Sequence, residues 1–419
     1  MSEAPSLTRS MSRAASLAVL VAALGYFVDI YDLILFAMVR GKSLADLGVP
    51  EAARTSEGIF LLNMQMGGML VGGILWGVIG DKRGRLSVLF GSITMYSLAN
   101  LANGYADSLN AYAVCRLIAG VGLAGELGAG ITLVSELMSR ETRGIGTTLV
   151  AGVGVFGGVI AGLIGGALPG VWSGVHWRTA YYIGGGLGLA LLALRVGLAE
   201  SGMFHTAAKT STSRGNFLAL FASRKRLVRY LSIIAVGVPV WFVIGILFTF
   251  SKEIGAVLGL SPAPSPPTAL FFGYMGAGFG GLLSGLISQH LRSRKRTLAV
   301  FLAAVTLVSV AYFLVGATSL TVFYVLCGIG GVSTGYWAVF VSTSAELFGT
   351  NLRATVTTTV PNFVRGSLVP IALAFQAIAA WSSYVTAAIA VGVFCLALAV
   401  VGLSLLPETF GVDLDYVED

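Results

Sequence analysis

Five ionisable side chains stand inside stretches that otherwise read as lipid-buried: Asp29 and Asp32 in GYFVDIYDLILF, Arg116 and Glu126 in RLIAGVGLAGELGAGITLVSE, and Arg365 in TVPNFVRGSLVP. A charge at the centre of a bilayer-spanning helix costs about 2.5–3.5 kcal/mol even on the lenient insertion scale, so such groups face a partner or a water-filled path. Asp29 and Asp32 are three apart and share one face of a helix. At 1.5 Å per residue, Asp32 and Arg116 both fall roughly 9–11 Å below the outer ends of their helices, so they can meet. How firmly a carboxylate holds a proton depends on whether a guanidinium stands beside it. A cavity that opens and closes around such a pair can therefore load and unload a proton, and the other reading is a fixed ion pair that orients two helices. Glu126 lies about 15 Å beyond Arg116 and within roughly 80° of its face. It is a candidate second acid of a relay, a ligand for substrate, or a carboxyl bonded to a neighbouring helix.

Arg365 stands near the middle of an apolar run with no acid nearby in that half of the chain. Its planar fork of donors suits a carboxylate or phosphate. The expectation is an anionic substrate held by Arg365 and by Asn362 one turn earlier, the alternative being a pair with Asp29 across a cavity. Glu136 and Arg143 are expected to pair with the basic residues around 80–85 as a structural latch. Nothing supports an enzyme: His176, His205 and His290 are scattered at the ends of apolar runs. No nucleophile elbow, phosphate-binding loop or metal-ligand cluster is visible, so neither a metal nor a cofactor is expected.

The composition says what must position these residues. With 56% hydrophobic residues, 11% charged and a mean hydropathy of +0.87, the chain is a polytopic membrane protein. Cys115, Cys327 and Cys395 fall inside apolar runs and form no disulfide framework. The net charge of +7 does not indicate nucleic acid, because the basic residues sit in short loops. The N-terminal MSEAPSLTRSMSR leads into an apolar run too long for a signal peptide, which reads as a retained first span.

Runs of about 20 apolar residues cross a bilayer as helices, and they fall near 15–38, 57–79, 86–105, 109–137, 145–168, 179–199, 230–250, 268–290, 298–316, 319–346, 355–379 and 383–405. Gly120, Gly122, Gly125, Gly128 and Gly130 give the fourth run small faces for close packing. The basic segment FHTAAKTSTSRGNFLALFASRKRLVR divides the chain into six runs plus six: a first bundle at 1–200, a linker at 201–229, a second bundle at 230–406 and a tail at 407–419. Lys82, Arg83, Arg85, Arg140, Arg143, Arg224, Lys225, Arg226, Arg229, Arg292, Arg294, Lys295 and Arg296 lie in loops on one side. By the positive-inside rule that side, with both termini, is cytoplasmic. The halves echo each other weakly: GVIGDKRGRLSVL matches GLISQHLRSRKRTLAV in position, and SELMSRETRG matches AELFGTNLRAT. Such repeats build alternating-access transporters with a site at their interface.

On these residues the chain resembles the major facilitator superfamily of secondary transporters. GDKRGR, with Gly80, Asp81, Arg83, Gly84 and Arg85, matches the family's loop motif between the second and third helices. Arg116-x-x-x-Gly120-x-Gly122 matches its fourth helix, WRTAYYIGG its lead into the sixth, and PETFG at 407–411 the ending of its sugar-porter and metabolite-symporter branches. The second copy of the loop motif, SQHLRSRKR, keeps the basic residues and loses the Gly-Asp, so any lock there is asymmetric. GYFVDIYDLILF resembles the first helix of proton-coupled metabolite symporters, while AGELGAG departs from the phosphate branch and leans toward the metabolite branch with its GGE.

The resemblance implies an all-α membrane protein with twelve transmembrane helices in two pseudo-symmetric six-helix halves. It implies a proton-coupled symporter of a small organic anion, driven by the proton gradient without a cofactor. Asp29, Asp32, Arg116 and Glu126 would handle the proton, and the acid matching Asp32 pairs with Arg116 in the sugar porters. Tyr31, Trp241, Tyr274, Tyr336 and Trp337 occupy spans that line the family's cavity, with Gln65 a further candidate ligand. The fifth span resembles the antiporter motif of drug-efflux members but has Leu163 where their Gly-Pro would be. A proton-driven efflux antiporter and a membrane sensor that moves nothing are the competing readings. The expected setting is a bacterial inner membrane, and the expected state a monomer.

Overall fold

The structure is a computed structural model, and it describes residues 13–137, 143–168, 170–200 and 217–412. It is all helical, with no strand among the described residues. The first half is built from Arg13–Asp46, Arg54–Arg83, Arg85–Gly104, Leu109–Leu123 with Glu126–Leu137, Arg143–Val155 with Gly157–Gly165, and Trp177–Glu200. The second half is built from Arg224–Phe242 with Val243–Phe248, Pro266–Leu291, Arg294–Leu314, Leu320–Thr334 with Trp337–Glu346, Thr350–Gly366 with Leu368–Trp381, and Tyr384–Leu405. These are the first to twelfth spans. Ten runs are long and apolar enough to cross a bilayer by length and composition, and the third span and the interrupted fifth complete the twelve. The seventh begins at Arg224, six residues before its apolar run, because Ser223 starts the helix in extended backbone and the basic residues form its first turn.

Local chemistry explains where the helices begin and end. Ser108, Ser293, Ser319 and Ser383 accept a backbone N–H from three residues on, the usual service of an N-terminal serine cap. Gly84 ends the second span and starts the third at φ +86°, a conformation only glycine holds without strain. Five spans are interrupted near their middles: the fourth at Ala124, the fifth at Phe156, the seventh where an α-helix passes into a π-helical turn at Val243, the tenth at Tyr336, the eleventh at Ser367. The fourth and fifth of one half thus correspond to the tenth and eleventh of the other. Pro239 and Pro361 stand four and six residues before two of these interruptions and weaken the backbone ladder there.

Close helix crossings are also repeated between the halves. A side chain at Gly120 would collide with the Gln65 backbone of the second span, and one at Gly331 with the Gly273 backbone of the eighth. Lipid offers no hydrophobic gain for helix association, so such backbone approach supplies the packing. On the face carrying the chain ends, Arg294 pairs with both oxygens of Glu346 at 2.9 and 3.2 Å, and Thr409 Oγ1 donates to Glu346 Oε2 at 2.8 Å. Glu408 of the PETFG ending accepts from Ser293 Oγ and from the backbone N–H groups of Arg294, Lys295, Thr409 and Phe410. Partial burial pushes the Glu408 carboxyl up, but the bonds from Ser293, Phe410, Arg294 and Thr409 outweigh it and hold it below its ordinary value. In the first half the Gly80 carbonyl accepts the Gly84 N–H, Ser87 bonds back to the Arg83 carbonyl, and Lys82 and Arg83 are exposed. The side chains of Asp81, Arg85, Glu136 and Arg143 lie outside the described residues, and so does the linker at 201–216.

Candidate functional site

Between the halves lies a small, partly open cavity. Tyr26 and Val155 line it from the first half, and Trp241, Tyr274, Trp337 and Arg365 from the second. Its wall is apolar and aromatic except at Arg365 and at Thr334, whose hydroxyl is bonded back to the Gly331 carbonyl. The aromatic frame is held across the halves, because the Trp337 indole N–H donates to the Tyr26 hydroxyl at 2.9 Å. Tyr274 packs against Gly158 of the fifth span, where no larger residue would fit. The interrupted fifth, seventh, tenth and eleventh spans all contribute lining residues, so the breaks lie at the depth of the cavity.

Arg365 is buried and donates from Nη2 to Asp29 Oδ2 at 3.1 Å, an ion pair that joins the eleventh span to the first across the two halves. This is the pairing with Asp29 across the cavity that stood as the alternative to a free anion-binding arginine, and the partner lies 336 residues away in sequence. The pair leaves donors over. Arg365 Nε and Nη1 and Asp29 Oδ1 have no hydrogen-bond partner, and the guanidinium stands 5.9 Å from the Tyr26 ring. Trp241, also lining the cavity, leaves its indole N–H without a partner.

Asn362 does not join Arg365 in a ligand clamp. Its amide N–H groups go to the Ala124 and Thr358 carbonyls, both at 2.7 Å, so it ties the eleventh span to the break in the fourth. Asp32 and Arg116 are brought together, but not as carboxylate against guanidinium. Arg116 donates to Asn100 Oδ1 at 3.2 Å and to the Asp32 backbone carbonyl at 3.5 Å, and sits 5.3 Å from the Tyr181 ring. Both Asp32 carboxyl oxygens are buried with no partner, and Oδ1 lies against Gly184 of the sixth span. Three other expected ligands donate to backbone carbonyls of neighbouring helices. Tyr31 donates to Ala180 at 2.9 Å, Gln65 to Leu33 at 3.2 Å and Tyr336 to Val236 at 2.8 Å.

Glu126 is not free to serve as a ligand. Arg195 of the sixth span grips it with both ends of its fork, Nη1 to Oε2 at 3.0 Å and Nη2 to Oε1, and also reaches the Val21 carbonyl. Arg195 and Tyr26 are the functional candidates that sequence reading missed. Arg195 had the same signal as Arg116, a guanidinium inside the apolar run LALLALRVGLAE, while Tyr26 is marked only by standing one turn before Asp29. Among the described residues the buried charged side chains are thus Asp29, Asp32 and Glu126 against Arg40, Arg116, Arg195 and Arg365, three acids and four bases. On the face away from the chain ends, Arg40 of the first span pairs with Glu253 at 2.7 Å and lies 4.6 Å from the Phe250 ring, joining the two halves on that side. Asn362 on the Ala124 carbonyl joins them on the other. Among the described residues no group of His, Cys, Asp and Glu could hold a metal ion.

The family model of the Major Facilitator Superfamily matches residues 15–372. A protein of Cupriavidus pinatubonensis described as a probable 4-methylmuconolactone transporter is 24% identical over 406 residues, 94% of this chain and 90% of the relative. The 3-(3-hydroxy-phenyl)propionate transporter of Escherichia coli is 29% identical over 281 residues, 64% of this chain and 66% of its own. A niacin transporter of Acinetobacter baylyi is 29% identical over 167 residues, 39% of this chain and 36% of the relative. Among solved structures, the proton:xylose symporter XylE superposes with a TM-score of 0.72 at 15% identity, covering 97% of this chain and 98% of that one. At that identity the likeness is one of fold.

Proposed function

The chain belongs to the Major Facilitator Superfamily, as an integral membrane transporter and not an enzyme, and from that premise we propose that it moves a small organic anion by proton-coupled symport. The observation that carries the reading is a single guanidinium, with two donor nitrogens unused, in the wall of a mainly apolar and aromatic cavity shared by both halves. A carboxylate can take the fork of Arg365, and a ring or short hydrocarbon chain can lie among Tyr26, Tyr274, Trp241 and Trp337. The relatives named for 3-(3-hydroxy-phenyl)propionate and niacin support the same class. Proton coupling rests on the buried acids. Asp29 is held by an arginine that substrate also needs, and Asp32 is buried beside Arg116 without a direct partner. The basic loops favour a cytoplasmic-membrane setting with both chain ends inside, and one chain holds a whole cavity, which favours a monomer.

The test is uptake of labelled 3-phenylpropionate and nicotinate into proteoliposomes, with D-xylose as the neutral control. The expected result is uptake of at least one acid and not of the sugar. In Arg365→Gln it should fall roughly ten- to a hundredfold, the equivalent of a charge-assisted hydrogen bond of about 1.5–3 kcal/mol. Undiminished uptake by Arg365→Gln contradicts the assignment.

A further inference from the structure

We propose that the transported anion and Asp29 compete for Arg365, so that anion binding itself forces a proton onto Asp29 and couples the two at one to one. This rests on the anion-symport reading above and adds the residue and the physical cause of the coupling.

The Asp29–Arg365 pair is the one buried ion pair reaching the cavity among the described residues; the other deep pair, Glu126–Arg195, lies wholly within the first half. Arg365 serves Asp29 through Nη2 alone and keeps Nε and Nη1 without a partner in a residue that lines the cavity, so an arriving carboxylate that turns the side chain finds unused donors. A bidentate seat on the fork needs Nη2 as well as Nη1, or Nε with its neighbouring Nη, and two carboxylates on one guanidinium repel each other. Once Arg365 turns to the substrate, Asp29 loses its counter-ion in a buried site, and an uncompensated buried charge is strongly disfavoured.

The charged and titratable groups around Asp29 offer no substitute cation. They are Arg365 from the eleventh span, Glu126 from the fourth, Tyr274 from the eighth, Tyr96 from the third, and Asp32 and Tyr26 on its own helix. Glu126 is already neutralised by Arg195, and Arg116 is engaged by Asn100 and the Asp32 backbone. Asp29 therefore takes a proton.

The step balances. A proton from solution forms an O–H bond on Asp29, the N–H···O bond from Arg365 passes to the substrate carboxylate, and no covalent bond of the substrate changes. A monocarboxylate then crosses with one proton and no net charge. Release on the other side returns the proton to solution and restores the ion pair. The two half-loaded forms each leave a buried charge unpaired: Asp29 protonated without anion, or anion bound with Asp29 ionised. The carrier is therefore empty or doubly loaded, which is the condition for tight symport.

The experiment is binding of 3-phenylpropionate and nicotinate to the detergent-solubilised full chain between pH 6.5 and 8.5. It is read by fluorescence, since Trp241 and Trp337 line the cavity. The wild type should bind about tenfold more weakly per unit rise in pH, because binding takes up one proton. Asp29→Asn should bind with no pH slope, and in liposomes it should exchange labelled for unlabelled acid while losing proton-driven accumulation. Asp29→Glu keeps the slope and guards against an Asn variant that fails to fold. Binding by the wild type without a slope overturns the proposal. So does a slope kept in Asp29→Asn and lost in Asp32→Asn. Absence of wild-type binding to either acid at any pH instead overturns the anion reading on which it stands.

Discussion

At the scale of single residues the interior is governed by who neutralises whom. Glu126 and Arg195 are each nearly fully buried and engage each other through both ends, so removing one strands the other. Arg195→Met should lower stability by about 3–5 kcal/mol, whereas the double variant Glu126→Gln, Arg195→Met should recover most of the loss. Thermal unfolding in detergent reads both, and equal destabilisation in the single and double variants contradicts the pairing. The sequence made Asp29, Asp32, Arg116, Glu126 and Arg365 visible because a charge in an apolar run is conspicuous whatever surrounds it. It could not choose partners. Arg365 finds Asp29 across 336 residues and Glu126 finds Arg195 across 69, and those distances close only in the fold. Asn362, Tyr31, Gln65 and Tyr336 went astray for a related reason, since an amide or hydroxyl in lipid takes the nearest free carbonyl, and helix packing decides which one that is.

At the scale of elements, all twelve spans were legible from hydropathy, but their interruptions were not. Hydropathy is insensitive to a break at Ala124 or Tyr336, where apolar residues simply change from one helical segment to the next. The breaks in the fifth, seventh, tenth and eleventh spans fall in the spans that line the cavity. The PETFG ending was read as a family signature, and its physical role is now specific: Glu408 caps the ninth span while Thr409 supports the Arg294–Glu346 pair. Because the folded Glu408 carboxyl is held below its ordinary value, its contribution is fully present above the unfolded value of about 4.3 and is lost as pH falls through the lower folded value. Glu408→Gln should therefore lower the unfolding temperature modestly at pH 7, with the difference from wild type vanishing in strong acid. A deficit that persists unchanged at acid pH contradicts the capping role.

At the scale of the whole molecule, the six-plus-six division was readable because a polar, basic segment stands between two sets of apolar runs. Which face is closed was not, because closure depends on contacts between halves. The halves touch on both sides of the cavity, through Arg40–Glu253 on one face and Asn362 on the Ala124 carbonyl on the other. Opening toward the first face must break the Arg40–Glu253 pair, which also holds Arg40 over Phe250. Glu253→Gln should shift the population toward that open form. A cysteine placed at Trp337 should then label faster with a thiol reagent added from that side, about fivefold for each roughly 1 kcal/mol by which the largely buried pair favours the closed form. Unchanged labelling means the pair does not hold that face shut.

The central claim is that an organic anion and a proton cross together through the cavity at Arg365. Internal pH of proteoliposomes, followed while 3-phenylpropionate or nicotinate is added outside with permeation into empty liposomes subtracted, tests it most directly. The account predicts internal acidification that needs the acid, is absent with D-xylose and is lost in both Arg365→Gln and Asp29→Asn. Internal alkalinisation indicates exchange of substrate for protons and contradicts symport; acidification that survives in Asp29→Asn contradicts the coupling described here.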